Sequence, residues 1–102
     1  MYATQYEPFS LDWAYYTDHL NFDTDVNIYW YLQYTEDSQT KEMLVGSGNG
    51  IKEQISDKLE FIPEIYQTAE DNAKLIAKYF KNDQYITIDE FPIIIAKSRY
   101  DI

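Results

Sequence analysis

The sequence predicts an α+β domain: a small, mostly antiparallel sheet, made of a hairpin over about residues 25–45 and a short strand over about 84–88, packed against three to four helices. Three observations lead there. Val26, Ile28, Trp30, Leu32 and Tyr34 alternate with Asn27, Tyr29, Tyr31 and Gln33, the period of a strand, in residues that suit a pleated surface. Ile51, Ile55 and Leu59 recur every four residues with Lys52, Glu53, Asp57 and Lys58 between them, the period of a helix. A chain of 102 residues can bury one modest core, so residues 1–102 are read as a single domain.

In chain order, Ser10 stands ahead of a stretch from Leu11 to Leu20 in which Leu11, Ala14 and Tyr15 share a helical face. Asp12 would complement the positive end of that helix. The alternating strand follows. Glu36 to Gln39 forms a polar turn, and Thr40 to Val45 returns antiparallel to close the hairpin. Ser47, Gly48, Asn49 and Gly50 punctuate the chain before the helix of Ile51, Ile55 and Leu59, which Pro63 ends or bends. Thr68 with Asp71 fits a capping pair for a further helix whose buried stripe would be Ala69, Ala73, Ile76 and Phe80, stopped by Asn82 and Asp83. Gln84 to Ile88 reads as a short strand. Over Glu90 to Arg99 the capping pair Thr87 and Glu90 favours helix while Ile93, Ile94 and Ile95 favour strand; helix is the expectation, with Pro92 in its first turn.

The charge is acidic and unevenly placed. Eighteen acids face eight bases, a net charge of −10. Residues 1–40 hold seven of the acids and neither Lys nor Arg, whereas residues 41–102 hold eleven acids and all eight bases. Such a field repels nucleic acid and anionic membrane and attracts basic protein surfaces. Direct nucleic-acid or membrane binding is therefore rejected. The absence of cysteine removes disulfides, thiolate catalysis and Cys-based zinc sites, and suits a reducing interior. The longest aliphatic run, Ile93 to Ala96, is far short of a membrane span, and the first residues lack a signal-peptide pattern; the expected location is the cytoplasm.

No motif identifies a reaction. In the segment ending at Glu90, a calcium loop would need oxygen ligands where Tyr79 and Lys81 stand, and glycine where Gln84 stands. Asp23, Asp25 and Asn27 alternate like the start of such a loop, but Ile28 takes the glycine position and Tyr34 the closing glutamate. His19 is the only histidine, and its neighbours Ser10, Asp12 and Asp18 suit capping and solvation of the first helix. Adjacent acids such as Glu70 with Asp71 or Asp89 with Glu90 point apart on a helix. The glycines of residues 47–50 lack the spacing and the lysine of a phosphate loop. No enzyme activity, cofactor or metal is expected.

What remains is an acidic, tyrosine-rich segment, which has a plain explanation as core-margin tyrosines and solubilising acids. The functional expectation is a binding face in which Asp12, Tyr15, Asp18, Asp23, Asp25, Tyr29, Tyr31, Glu36 and Asp37 contribute rigid aromatic contact and charge steering. Carboxylates on successive helical turns or alternate strand residues lie roughly 5 to 7 Å apart, close to the phosphate spacing of one nucleic-acid strand. The expected partner is a basic protein, either a nuclease or a nucleic-acid-binding protein, and the expected role is inhibition. In size and charge the chain resembles the small acidic proteins of phages and mobile elements that counter host defence, nucleic-acid mimics and anti-CRISPR proteins among them, and the immunity proteins that neutralise nuclease toxins. That likeness rests on no residue motif and transfers no binding residue. The alternative is a regulatory or scaffold subunit that docks through apolar surface, around Phe91 to Ile95 or as a homodimer through the hairpin.

Overall fold

A computed structural model describes residues 1–12, 27–49 and 58–99. They form eight strands and one short 3-10 turn: β1 Tyr2–Thr4, β2 Phe9–Asp12, β3 Asn27–Glu36, β4 Gln39–Asn49, β5 Lys58–Phe61, the turn Ala69–Asp71, β6 Lys74–Lys81, β7 Gln84–Pro92 and β8 Ile94–Ala96. There is no α-helix among the described residues, so the expected sheet packed against three to four helices is overturned. The protein is sheet-rich.

The central element is a four-stranded antiparallel sheet in the order β4-β3-β6-β7, two hairpins laid side by side. Both hairpins turn through two residues of positive φ, Asp37 (52°) with Ser38 (63°) and Asn82 (53°) with Asp83 (62°). Two left-handed residues in succession match the strand twist of a tight hairpin, and short polar side chains tolerate that conformation best. The β3–β4 hairpin is the one the alternation predicts, extended through Asn49, so Ser47 and Gly48 continue the strand. A bulge at Val45 shifts the β3–β4 register between Trp30 and Tyr31, and a second at Ile88 shifts β6–β7 between Ala77 and Lys78. Bulges of this kind bend and twist the edge strands of a sheet.

One face of this sheet carries the core. Ile28, Trp30 and Leu32 of β3 and Leu75 and Ala77 of β6 are buried there, with Phe91 of β7 stacked on Trp30 at 6.0 Å between ring centroids. Two smaller pairs add to that core: β2 with β5, contributing Leu11 and Leu59, and parallel β1 with β8, contributing Ala3 and Ile95. Leu59 sits over Gly46, where any Cβ would collide with its Cδ1, so the glycine is the notch that seats β5 against β4. The first and last strands are further joined by hydrogen bonds from Ile94 N to the Met1 carbonyl (3.0 Å) and from Gln5 N to the Ala96 carbonyl (2.8 Å).

Several expected helices are therefore corrected. Leu11 and Asp12 belong to β2, and Leu59 to β5; the rest of the first expected helix, residues 13–20, and residues 51–57 of the second lie outside the described residues. The helix expected to end at Asn82 is instead the turn Ala69–Asp71 followed by β6. Its capping pair exists, with the Asp71 carboxylate accepting from Thr68 N (2.8 Å) and Oγ1 (3.1 Å), but it caps a single turn. Asn72, in a left-handed conformation (φ 55°), ends that turn. Phe80 is half exposed rather than part of a buried stripe. The last expected helix is β7 and β8, with Pro92 at the end of an edge strand, where it removes no ladder bond.

Candidate functional site

The predicted binding residues separate into distinct places. Asp12 is exposed at the end of β2, in a different sheet from the rest. Tyr29 and Tyr31 lie on the face of the central sheet opposite the core. Glu36 and Asp37 are exposed at the β3–β4 hairpin tip. Tyr15, Asp18, Asp23 and Asp25, together with His19, fall outside the described residues.

At the hairpin tip, the structure gathers acids that are far apart in sequence. Past Gln33, the last β3 residue paired with β6, the side chain of Gln67 takes over as partner of β3: its Oε1 accepts from Thr35 N (2.9 Å) and its Nε2 donates to the Thr35 carbonyl (2.9 Å). Gln67 is itself held by reciprocal 2.9 Å backbone bonds with Ile95. Thr35 Oγ1 also donates to the Asp71 carbonyl (3.2 Å), which ties the 3-10 turn to the same strand. Buried Gln5 completes the frame, donating to the Glu64 carbonyl (3.0 Å) and accepting from Ser98 N (3.2 Å).

The result is an open cleft of about 330 Å³ bordered by Gln5, Thr35, Glu36, Glu64, Tyr66 and Asp71. Asp37 and Glu70 adjoin it as chain neighbours of Glu36 and Asp71. Lys41 approaches this rim and lies 2.9 Å from Glu36 Oε1; that hydrogen bond and charge hold its ammonium above the ordinary lysine range, with Asp37 adding to the effect. Lys74, which borders the adjoining cleft, is paired with Glu90 at 3.6 Å. Asp37, Glu64 and Glu70 form no ion pair among the described residues. Lys97 stands 5.7 Å above the Tyr66 ring, so five acids, Glu36, Asp37, Glu64, Glu70 and Asp71, outnumber Lys41 and Lys97 here, and the group keeps a net attraction for an incoming cation.

The second place is aromatic. Tyr85 of β7 stands edge-on to both Tyr29 (5.8 Å) and Tyr31 (6.4 Å) and packs against Phe80 at 5.0 Å. Lys78 lies 4.8 Å above the Tyr31 ring and 2.6 Å from Glu42. Burial, and next the neighbouring Tyr85 phenol, push the Tyr31 hydroxyl above its ordinary pKa.

Sequence reasoning missed Glu64, Glu70 and Asp71 at the tip, and Tyr85 and Phe80 on the sheet face. For the acids no local signal exists, because Gln67 and the β1–β8 pairing bring them there from distant parts of the chain. For Tyr85 the signal was the polar pair Asn82-Asp83 between two β-prone runs, which marks a hairpin.

Among the described residues, no group of three or more acids or histidines is placed to hold a metal ion, and no helix is long and apolar enough to cross a membrane. Compared with known proteins, the chain matches no family model, no curated protein sequence and no solved structure.

Proposed function

We propose that the protein is a small acidic, non-enzymatic inhibitor that sets the cleft at the β3–β4 hairpin tip against a basic protein that binds or cleaves nucleic acid, and so blocks that protein's nucleic-acid site. The observation that carries this is the convergence of Glu36, Glu64 and Asp71 on one cleft, with Asp37 and Glu70 beside it, which together outnumber the nearby Lys41 and Lys97. A lysine or arginine side chain of the partner would enter the cleft, and the net charge of −10 would steer the encounter. The cysteine-free, acidic chain suits a cytoplasmic role of this kind, such as phage or mobile-element counter-defence of the anti-CRISPR type, or immunity to a nuclease toxin.

The test is capture of partners from cell extract at low and at high salt, with wild type beside an Asp37→Asn, Glu64→Lys, Glu70→Lys variant. These positions are exposed and leave the Glu36–Lys41 and Thr68–Asp71 contacts intact. The expected result is a basic nucleic-acid-processing protein held by wild type at low salt, released at high salt and not held by the variant. Equal recovery by both proteins would remove the tip from the binding surface.

A second reading, a regulatory or scaffold subunit docking through apolar surface, draws on the aromatic sheet face, where Leu44, Phe80 and Tyr85 are exposed. Binding of that kind survives high salt and fails on Tyr85→Ala rather than on the tip variant.

A further inference from the structure

The outer face of the central sheet differs from the rest of the molecule in its charge. Strand register places Glu42, Gln33 and Lys74 in one cross-strand row, Leu44, Tyr31, Ile76 and Glu90 in the next, then Ser47, Tyr29, Lys78 and Thr87, and finally Phe80 beside Tyr85. Ile76 is only 3% exposed yet lies on the side away from the core, roofed by its neighbours on this face. Leu44, Phe80 and Tyr85 around it are 57%, 49% and 55% exposed. The charges of the rows cancel: Lys78 pairs with Glu42, and Lys74 with Glu90. A charge-balanced patch that carries Leu44, Ile76, Phe80 and three tyrosines thus sits on a molecule of net charge −10.

We infer that this face is the contact surface of a homodimer, two copies stacking their open sheets face to face. Two bodies of like charge repel wherever their surfaces carry the excess, and come together at least cost where the local charge is balanced. A two-fold contact also requires a patch complementary to itself. A face carrying both lysines and glutamates among apolar and aromatic side chains meets that requirement, because the lysines of one copy can lie over the glutamates of the other. A basic partner gains nothing from a balanced face and is addressed at the hairpin tip. The bulges at Val45 and Ile88 disfavour edge-to-edge pairing of β4 and β7, which leaves the face as the route of association.

Strands about 4.8 Å apart, with same-face residues about 7 Å apart along each strand, give the patch a footprint of roughly 500 Å². A standard interface buries about 800 Å² per partner, so the dimer is weak and concentration-dependent. The face's two lysines and two glutamates are already paired within each copy, whereas each copy carries a net charge of −10, so screening chiefly reduces repulsion and the dimer tightens as salt rises. Binding of a basic partner at the tip responds in the opposite direction, so ionic strength distinguishes the two associations.

Sedimentation velocity of the whole chain from about 10 μM to about 1 mM, a range that brackets a weak dimer, is the direct test. The expected mass rises from 12.2 kDa toward twice that value, at lower concentration in high salt than in low. Leu44→Glu and Tyr85→Glu each weaken association at least tenfold; Tyr85→Ser, a milder change, serves if the charged variant loses its far-ultraviolet β signature. In wild type, the ring resonances of Phe80 and Tyr85 move with concentration. A monomer throughout the range overturns the proposal, as does a dimer that dissociates with salt, one that ignores Leu44→Glu and Tyr85→Ser, or one whose concentration-dependent shifts fall only elsewhere.

Discussion

Gln67 holds β3 by replacing a strand's backbone with a side-chain amide, and the acidic cleft depends on that substitution. It is buried, and its amide meets both the N–H and the carbonyl of Thr35. In Gln67→Ala both backbone groups lose their partner, and partly buried groups left unsatisfied cost roughly 1–3 kcal/mol; urea unfolding measures this as a lower midpoint at unchanged slope. A loss under about 0.5 kcal/mol, typical of a neutral surface change, would mean that Thr35 finds other partners. Tyr31 gives a second prediction at this scale. Its folded pKa is raised above the ordinary value near 10, so between the two values the folded state keeps a proton that the unfolded chain has lost. Stability therefore falls as pH rises past about 10, and Tyr31→Phe, which cannot ionise, loses less stability than wild type as pH is raised beyond that point. Identical losses in the two proteins would show that Tyr31 ionisation is not linked to folding.

Among the elements, the two tight hairpins set the shape of the central sheet, and both use left-handed residues without glycine. Asp83→Gly converts the second turn to Asn-Gly, the preferred pair for such a loop, and is expected to raise stability by roughly 0.5–1 kcal/mol in thermal or urea unfolding. A destabilised variant would mean that the Asp83 side chain contributes more than its backbone strain costs. The elements also explain what the sequence makes legible. The β3–β4 hairpin was readable because β3 is buried on one side only, leaving a clean alternation from Ile28 to Leu32. β6 was misread because it is covered on both faces: Leu75 and Ala77 point to the core while Ile76 is roofed on the other side. A strand covered on both faces gives an apolar run with no period of two, and Ala73, Ile76 and Phe80 then fall at helical spacing by coincidence. In the last segment, local capping chemistry at Thr87 and Glu90 points to helix, whereas tertiary pairing with β1 and Gln67 makes Ile94–Ala96 a strand.

For the molecule as a whole, the relevant property is the separation of charge from apolar surface. An acidic end at the hairpin tip and a balanced aromatic face on the sheet occupy different parts of one small body. The acidic character was legible in the sequence, and so were Glu36 and Asp37 at an exposed turn and Tyr29 and Tyr31 on the second face of the hairpin, where they are half-buried. Their division between two surfaces was not, because it depends on which strand neighbours which, and the β3–β6 pairing joins residues more than forty positions apart. Nor could the sequence associate Glu64 and Asp71 with Glu36, since buried amides of Gln5 and Gln67 position the segments that carry them. The most direct test of the acidic tip is the association rate of the partner recovered at low salt, measured across ionic strength for wild type and for the Asp37→Asn, Glu64→Lys, Glu70→Lys variant. Steering by the tip predicts a rate that falls steeply with salt in wild type, and in the variant a low-salt rate lower by about tenfold or more with a flattened salt dependence. An unchanged low-salt rate in the variant would contradict it.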